Sequence, residues 1–226
     1  MKAKFGMMIV DGRGKLGGHV MTKSRQGSTV RTKVTPINRR TNSQSARRST
    51  FTSNSQAWRA LTAAQITAWN AAGNDFKKTN IFGDQYAPTG KNLYSILNNT
   101  LALLGVAAIS NPPLPVAVPA LTSLTSGSLS SAAMTVTFAP TPVAANFELV
   151  IQATRGVSPG TSFAKNQFRF ITAVDAAGTS PANVFAAYQN VFGTPVTGKK
   201  VFVRAFFVSK ITGQRGVALQ YSAIVA

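Results

Sequence analysis

The side chains with the most capacity for chemistry in this chain are cations. Lys and Arg number 24 against 5 Asp and Glu, a formal net charge of +19. Several stand in pairs: Arg39-Arg40, Arg47-Arg48, Lys77-Lys78 and Lys199-Lys200. Such pairs suit phosphate or carboxylate partners, and a phosphate partner makes affinity fall with salt as counterions are released. Acid–base and metal chemistry have little to draw on. The carboxylates Asp11, Asp75, Asp84, Glu148 and Asp175 are scattered, with only Asp75 and Asp84 loosely paired. The single His, His19, has no Ser–Asp or Cys arrangement around it, and no Cys is present as nucleophile, disulfide or zinc ligand. The composition argues against an enzyme and implies no cofactor and no metal.

Gly12-Arg13-Gly14-Lys15-Leu16-Gly17 spells G-x-G-x-x-G. A dinucleotide loop needs a strand before it, a helix after it and an acid about 20 residues on. A hairpin pattern follows here instead, and residues 32–38 hold no acid. The spacer and Lys-Ser/Thr ending of a P-loop are absent as well. The string reads as a glycine-rich turn that lets a basic segment lie along a partner.

The elements that carry these cations change along the chain. Residues 1–60 hold 13 basic residues and Asp11, a net +12; residues 61–110 add +1 and residues 111–226 add +6. The first stretch is rich in Ser, Thr, Asn, Gln and Gly, and buries too little area to offset its own conformational entropy. Residues 1–42 therefore read as an extended basic arm that orders against a partner. Within it, β-branched residues flank the Gly-bearing Gln26-Gly27-Ser28, a hairpin signal. Alternation along Val30 to Val34 puts Arg31 and Lys33 on one side, predicting one strongly cationic face. The candidate partner- or phosphate-contact residues are Arg13, Lys15, Lys23, Arg25, Arg31, Lys33, Arg39 and Arg40 of the arm, with Arg47 and Arg48 just beyond it. Base-specific reading is not supported, because no row of aromatic residues runs between them.

Residues 43–110 read as a small helical region. Ser43 to Leu61 lacks Gly and Pro and spaces Phe51, Ser55, Trp58 and Leu61 as a stripe. Thr62 and Gln65 spell a capping box for a second helix, Ala63 to about Ala72, stopped at Gly73. Phe51, Trp58, Leu61, Ile66 and Trp69 are its candidate mini-core, with the two Trp meeting across the corner. That second helix carries no charge, which a DNA-recognition helix would need. A third helix, Lys91 to Leu104, repeats Leu at helical spacing up to Gly105, with Asn98 and Asn99 inside it needing specific partners.

Residues 111–119 carry four Pro and read as a stiff linker. Beyond it, residues 120–226 show period-two alternation at 134–138, 147–153, 167–171, 200–208 and 217–225, separated by Pro- and Gly-bearing turns. Six or seven short strands in this length predict an antiparallel β-sandwich of immunoglobulin or fibronectin III type, without the antibody cysteines. The expected fold class is α+β in several parts. The apolar run Phe5 to Val10 is too short for a signal peptide, and Leu101 to Ile109 is half a membrane span. A protein made and kept in the cytoplasm, or built into a particle assembled there, is expected.

In order along the chain, Gly14-Lys15-Leu16-Gly17, Val30-Arg31, Pro36, Thr41 to Gln44, Arg47, Trp58-Arg59-Ala60-Leu61-Thr62 with Gln65, and Ala68-Trp69 form a recurring pattern. Leu93-Tyr94 with Asn98, and Ala153-Thr154 before Ser158-Pro159-Gly160, continue it. The chain resembles an uncharacterised family of bacteriophage and prophage proteins from Bacteroidetes-type hosts. The resemblance implies a structural protein of a tailed-phage virion and carries over no catalytic residue. The first expectation is a non-enzymatic capsid decoration or minor head protein, anchored by the basic arm. Its partners would be the major capsid protein or other virion proteins, in multiple copies and with no membrane. A neck or tail component is the nearest variant. A nucleic-acid-binding protein packaged with the genome, through non-specific contact, is the alternative from another class, and a coat subunit with a nucleic-acid-neutralising arm is a third.

Overall fold

The computed structural model of the chain describes residues 2–4, 12–38, 40–164 and 166–226. The apolar run Phe5 to Val10, Asp11 and the candidate contact residue Arg39 lie outside the described residues. The chain is α+β, with four helices and several antiparallel sheets among the described residues. It divides into two compact units, Met1–Asn99 with Ala108–Leu114, and Thr100–Ala107 with Pro115–Ala226. The Pro-rich segment 111–119 is thus shared between them.

The first unit begins with a sheet built on two-residue turns. Lys2–Ala3 (β1), Gly14–Leu16 (β2), His19–Ser24 (β3) and Gly27–Thr32 (β4) pair in the order β1-β4-β3-β2. Leu16 faces His19 across Gly17-Gly18, and Ser24 faces Gly27 across Arg25-Gln26. Gly17 takes a φ of 54°, the left-handed region that a tight hairpin turn demands and that glycine enters without strain. The expected extended arm with one hairpin is instead a four-stranded sheet, because the Gly-Gly pair makes a second hairpin turn and Lys2–Ala3 pairs with β4. None of the residues of β2, β3 or β4 is buried.

The helical part follows. Asn42–Ala60 (α1) starts at Thr41, whose hydroxyl accepts the Gln44 N–H at 3.3 Å. Ala63–Ala72 (α2) opens on the predicted capping box: the Gln65 N–H donates to Thr62 Oγ1 at 3.3 Å, and the Thr62 N–H to Gln65 Oε1 at 2.9 Å. A small hairpin, Lys78–Thr79 (β5) with Gln85–Tyr86 (β6), leads to Gly90–Leu103 (α3). The core gathers Trp69, Leu93, Tyr94 and Leu97, with Ala57, Trp58, Leu61, Ala72, Phe76 and Ile109 packed on it. The two Trp meet through Tyr94: each ring centroid lies 5.3 Å from the tyrosine's. Such tilted and edge-on pairs contribute beyond the area they bury. Gly90 lets α3 start hard against α2, since a Cβ there would stand 2.7 Å from the Asn70 amide nitrogen.

Two members of the expected mini-core are placed elsewhere. Phe51 is 57% exposed. It shares Trp58's side of α1, but lies two turns nearer the N-terminus, and burial along α1 begins only at Asn54. Ile66 is half-buried and outside the cluster. Asn98 has the partner its position required. It is 1% exposed, its Oδ1 accepts the Ile109 N–H at 2.8 Å and its Nδ2 donates to the Ile109 carbonyl at 3.3 Å. Asn54 donates to Asn99 at 2.8 Å.

The second unit holds Ser123–Leu129 (β7), Met134–Ala139 (β8), Phe147–Ala153 (β9), Arg169–Val174 (β10), Ala182–Asn183 (β11), Phe185–Phe192 (α4), Lys200–Ser209 (β12) and Leu219–Ile224 (β13). Two antiparallel sheets result, ordered β11-β8-β7 and β10-β9-β12-β13. One core takes side chains from both, among them Leu124, Val136 and Phe138 from the first, and Leu149, Ile151, Val203 and Phe207 from the second. Alternation is clearest in β8, whose residues are buried and half-buried in turn. The helix α4 was not anticipated; its Tyr188, 2% exposed, joins the core. Among the described residues no helix is long and apolar enough to cross a membrane.

Candidate functional site

The nine described candidate contact residues are all exposed: Arg13, Lys15, Lys23, Arg25, Arg31, Lys33, Arg40, Arg47 and Arg48. The sheet distributes them over more than one surface. Lys15, Val20 and Arg31 stand opposite one another on adjacent strands and so share a face. Lys23 is three residues from Val20, which puts it on the other face. Arg25 is in the β3–β4 turn, and Lys33 lies past β4, its N–H donating to the Gly18 carbonyl at 2.7 Å. The register thus sets Lys15 with Arg31 on one face and Lys23 on the other. Arg47 and Arg48 project from α1, where no residue from Asn42 to Ser53 is buried. Arg40 precedes the helix at a φ of 47°.

The few carboxylates are largely taken. Asp84 meets Lys4 at 3.1 Å. The Asn80 amide, and after it Lys4, hold the Asp84 carboxyl below the usual carboxylate range. In the second unit a single cation serves both acids: Lys210 Nζ lies 2.6 Å from Glu148 and 3.4 Å from Asp175. Hydrogen bonding and attraction to Glu148 push the Lys210 ammonium above its ordinary value, against a smaller opposing effect of burial. Other cations of that unit lie over aromatic rings: Arg204 over Phe168 at 4.4 Å, Lys200 over Phe202 at 5.4 Å and Arg215 over Phe206 at 5.8 Å. Arg204 Nε also donates to Gln152 Oε1 at 3.1 Å. With 24 cations and 5 acids, most of the positive charge has no carboxylate within the chain to meet.

One cavity in the first unit draws several of these features together. It encloses about 580 Å³ and is lined by the β3–β4 turn, by Phe51 of α1, by Lys78 and Tyr86 of the β5–β6 hairpin, and by the polar side of α3 including Asn92 and Ile96. Phe51 and Ile96, 39% exposed, give it apolar walls. Arg25 and Lys78 give it charge, and its described lining residues include no carboxylate. The arm's basic pairs were legible in the sequence; this cavity was not. The signal in the sequence is Phe51 itself, a large aromatic residue in an otherwise polar helix start.

The G-x-G-x-x-G string leads through β2 into a hairpin, so no helix N-terminus stands ready for a pyrophosphate. Among the described residues no group of three or more His, Asp or Glu is placed to hold a metal ion. No protein-family model, curated protein or solved structure matches this chain.

Proposed function

We propose that the chain is a non-enzymatic structural protein of a bacteriophage virion, a capsid decoration or minor head protein held in the assembly by its basic N-terminal region. The observation that carries this reading is a four-stranded sheet with exposed cations and no buried side chain in β2, β3 or β4. Such a sheet lacks the covered hydrophobic face that gives small sheets independent stability. An acidic neighbour supplies both the cover and the countercharge, and the ordering cost is met on assembly. The start of α1 is likewise exposed and carries Arg47 and Arg48.

The second unit is then a separate structural module. A fibronectin III-like sandwich is supported by seven strands dividing as first, second and fifth against fourth, third, sixth and seventh.

The test is truncation. Removing residues 1–41 leaves both cores intact, and incorporation into particles should be abolished when copies per purified virion are counted by quantitative mass spectrometry. A truncated chain present at normal copy number would overturn the anchor. A full-length chain missing from purified particles would overturn the virion assignment.

A further inference from the structure

We propose that the second unit carries a binding site for a carboxylate-bearing saccharide, in the cavity between the ends of β9 and β10 and the C-terminal end of α4. The inference goes beyond the virion reading and does not depend on it.

The cavity encloses about 510 Å³ and is lined by Arg155, Asn166, Gln167 and Arg169, with Val191 and Phe192 of α4. That volume falls within the range of small-ligand sites, roughly 300–1,000 Å³. Its charge is of one sign. Arg155 and Arg169 are both exposed, and among the described residues neither guanidinium meets a carboxylate. Glu148 and Asp175, the acidic side chains of this unit, both lie on Lys210 instead. Two guanidinium groups lining one cavity suit a carboxylate, which either can clamp through two parallel N–H···O bonds.

The two arginines are also held from behind. Arg169 opens β10 opposite Ala153 of β9, and its guanidinium lies over the Phe192 ring at 6.0 Å. Phe192 packs on Tyr188, with ring centroids 5.1 Å apart. Tyr188 is buried, and its hydroxyl donates to the Thr154 carbonyl at 3.2 Å. Thr154 directly precedes Arg155, is 0% exposed, and accepts the Phe202 N–H on its Oγ1 at 3.1 Å. One run of contacts from the core therefore fixes both the backbone that Arg155 leaves and the ring beneath Arg169. Charge positioned in this way gives up less freedom when a ligand arrives.

The neutral groups choose among anions. Asn166 and Gln167 carry amides that both donate and accept, which matches the hydroxyls of a sugar. Val191 adds apolar surface for the C–H face of the ring. A nucleic-acid base needs a free aromatic face, and Phe192 already has Arg169 over it. An acidic peptide shares the carboxylate but brings no ring of hydroxyls for the two amides.

The experiment titrates the full chain by isothermal titration calorimetry at one fixed salt concentration. The probes are trigalacturonate and sialyllactose, their uncharged counterparts methyl-esterified trigalacturonate and lactose, and an N-acetylated triglutamate amide. At least one acidic sugar should bind more tightly than its uncharged counterpart and than the peptide. Arg155→Gln and Arg169→Gln should each weaken it on the order of tenfold. Lys91→Gln, which removes the same charge from the first unit, should leave it unchanged. Because both arginines are exposed, their variants should keep the parent melting temperature. Failure of both acidic sugars to bind would overturn the proposal outright. Equal binding of the acidic sugars and their uncharged counterparts would overturn it by removing the carboxylate. Triglutamate binding as tightly, and losing affinity equally in the two arginine variants, would overturn it in favour of a peptide site. Equal weakening by Lys91→Gln would overturn it in favour of attraction to the net charge of the chain. None of these outcomes bears on particle incorporation, which tests the virion reading separately.

Discussion

Asn98 is an amide in the middle of a helix, where its side chain competes with the backbone unless something fixed receives it. The Ile109 peptide does so, with both of its polar groups engaged and the amide 1% exposed. Asn98→Leu keeps the volume but takes the partner from the N–H and C=O of the half-buried Ile109. It should cost about 1–3 kcal/mol in urea denaturation. Trp69 shows the opposite economy, an aromatic residue at 0% exposure whose Nε1 donates to the Ser110 carbonyl at 2.8 Å. Trp69→Ala should destabilise the helical core by about 3–5 kcal/mol. Phe51→Ala should stay within about 0.5 kcal/mol of the parent protein. A large loss on truncating Phe51 would mean that its ring packs internally after all. Residue type alone did not separate these two aromatics. Both occupy good helical spacing, and only the tertiary packing separates them: Trp69 is fully buried while Phe51 is 57% exposed.

At the level of elements, the sheet of the arm and the sheets of the second unit should behave differently. β9 and β12 are almost continuously buried, whereas β2, β3 and β4 bury nothing. Hydrogen exchange on the isolated chain should therefore find the amides of β3 and β4 exchanging many times faster than those of β9 and β12. Equal protection would remove the reason for invoking a partner. Helix ends were readable because caps are local: Thr62 and Gln65 act on each other within one turn. The strands at 147–153 and 200–209 were readable because apolar and β-branched residues recur where the sheet is buried. β7 and α4 were missed for different reasons. β7 is mostly Ser and Thr and buries only Leu124 and Leu129. In α4, Phe185, Tyr188 and Phe192 do recur at helical spacing, but over only eight residues, too short for periodicity to outweigh the surrounding strand pattern. The four-stranded arm sheet depends on register between distant segments, such as Lys2 against Thr29, which no local pattern contains.

For the whole molecule, the scarcity of acids shapes the response to pH. Burial pushes the Tyr221 hydroxyl up to about 12, opposed by a hydrogen bond with Ser126, and Glu148 raises Lys210. Both groups hold their protons more tightly folded than unfolded. Their contributions are thus fully present below about pH 10, the ordinary range of these groups, and are lost as pH climbs through the folded values. Melting temperature should be level through neutral pH and fall between about pH 10 and 12, with Tyr221→Phe reducing the fall. A wild-type profile that stays level to pH 12, or one that Tyr221→Phe does not alter, would contradict this. The sharing of Lys210 between Glu148 and Asp175 has a further consequence. Glu148 is buried against Lys210 and only Asp175 is left at the surface, so two copies of it approaching in solution have little acidic surface to offer one another. They repel as net cations, and on the virion reading proposed above such a subunit would dock on an anionic neighbour before it met its own kind.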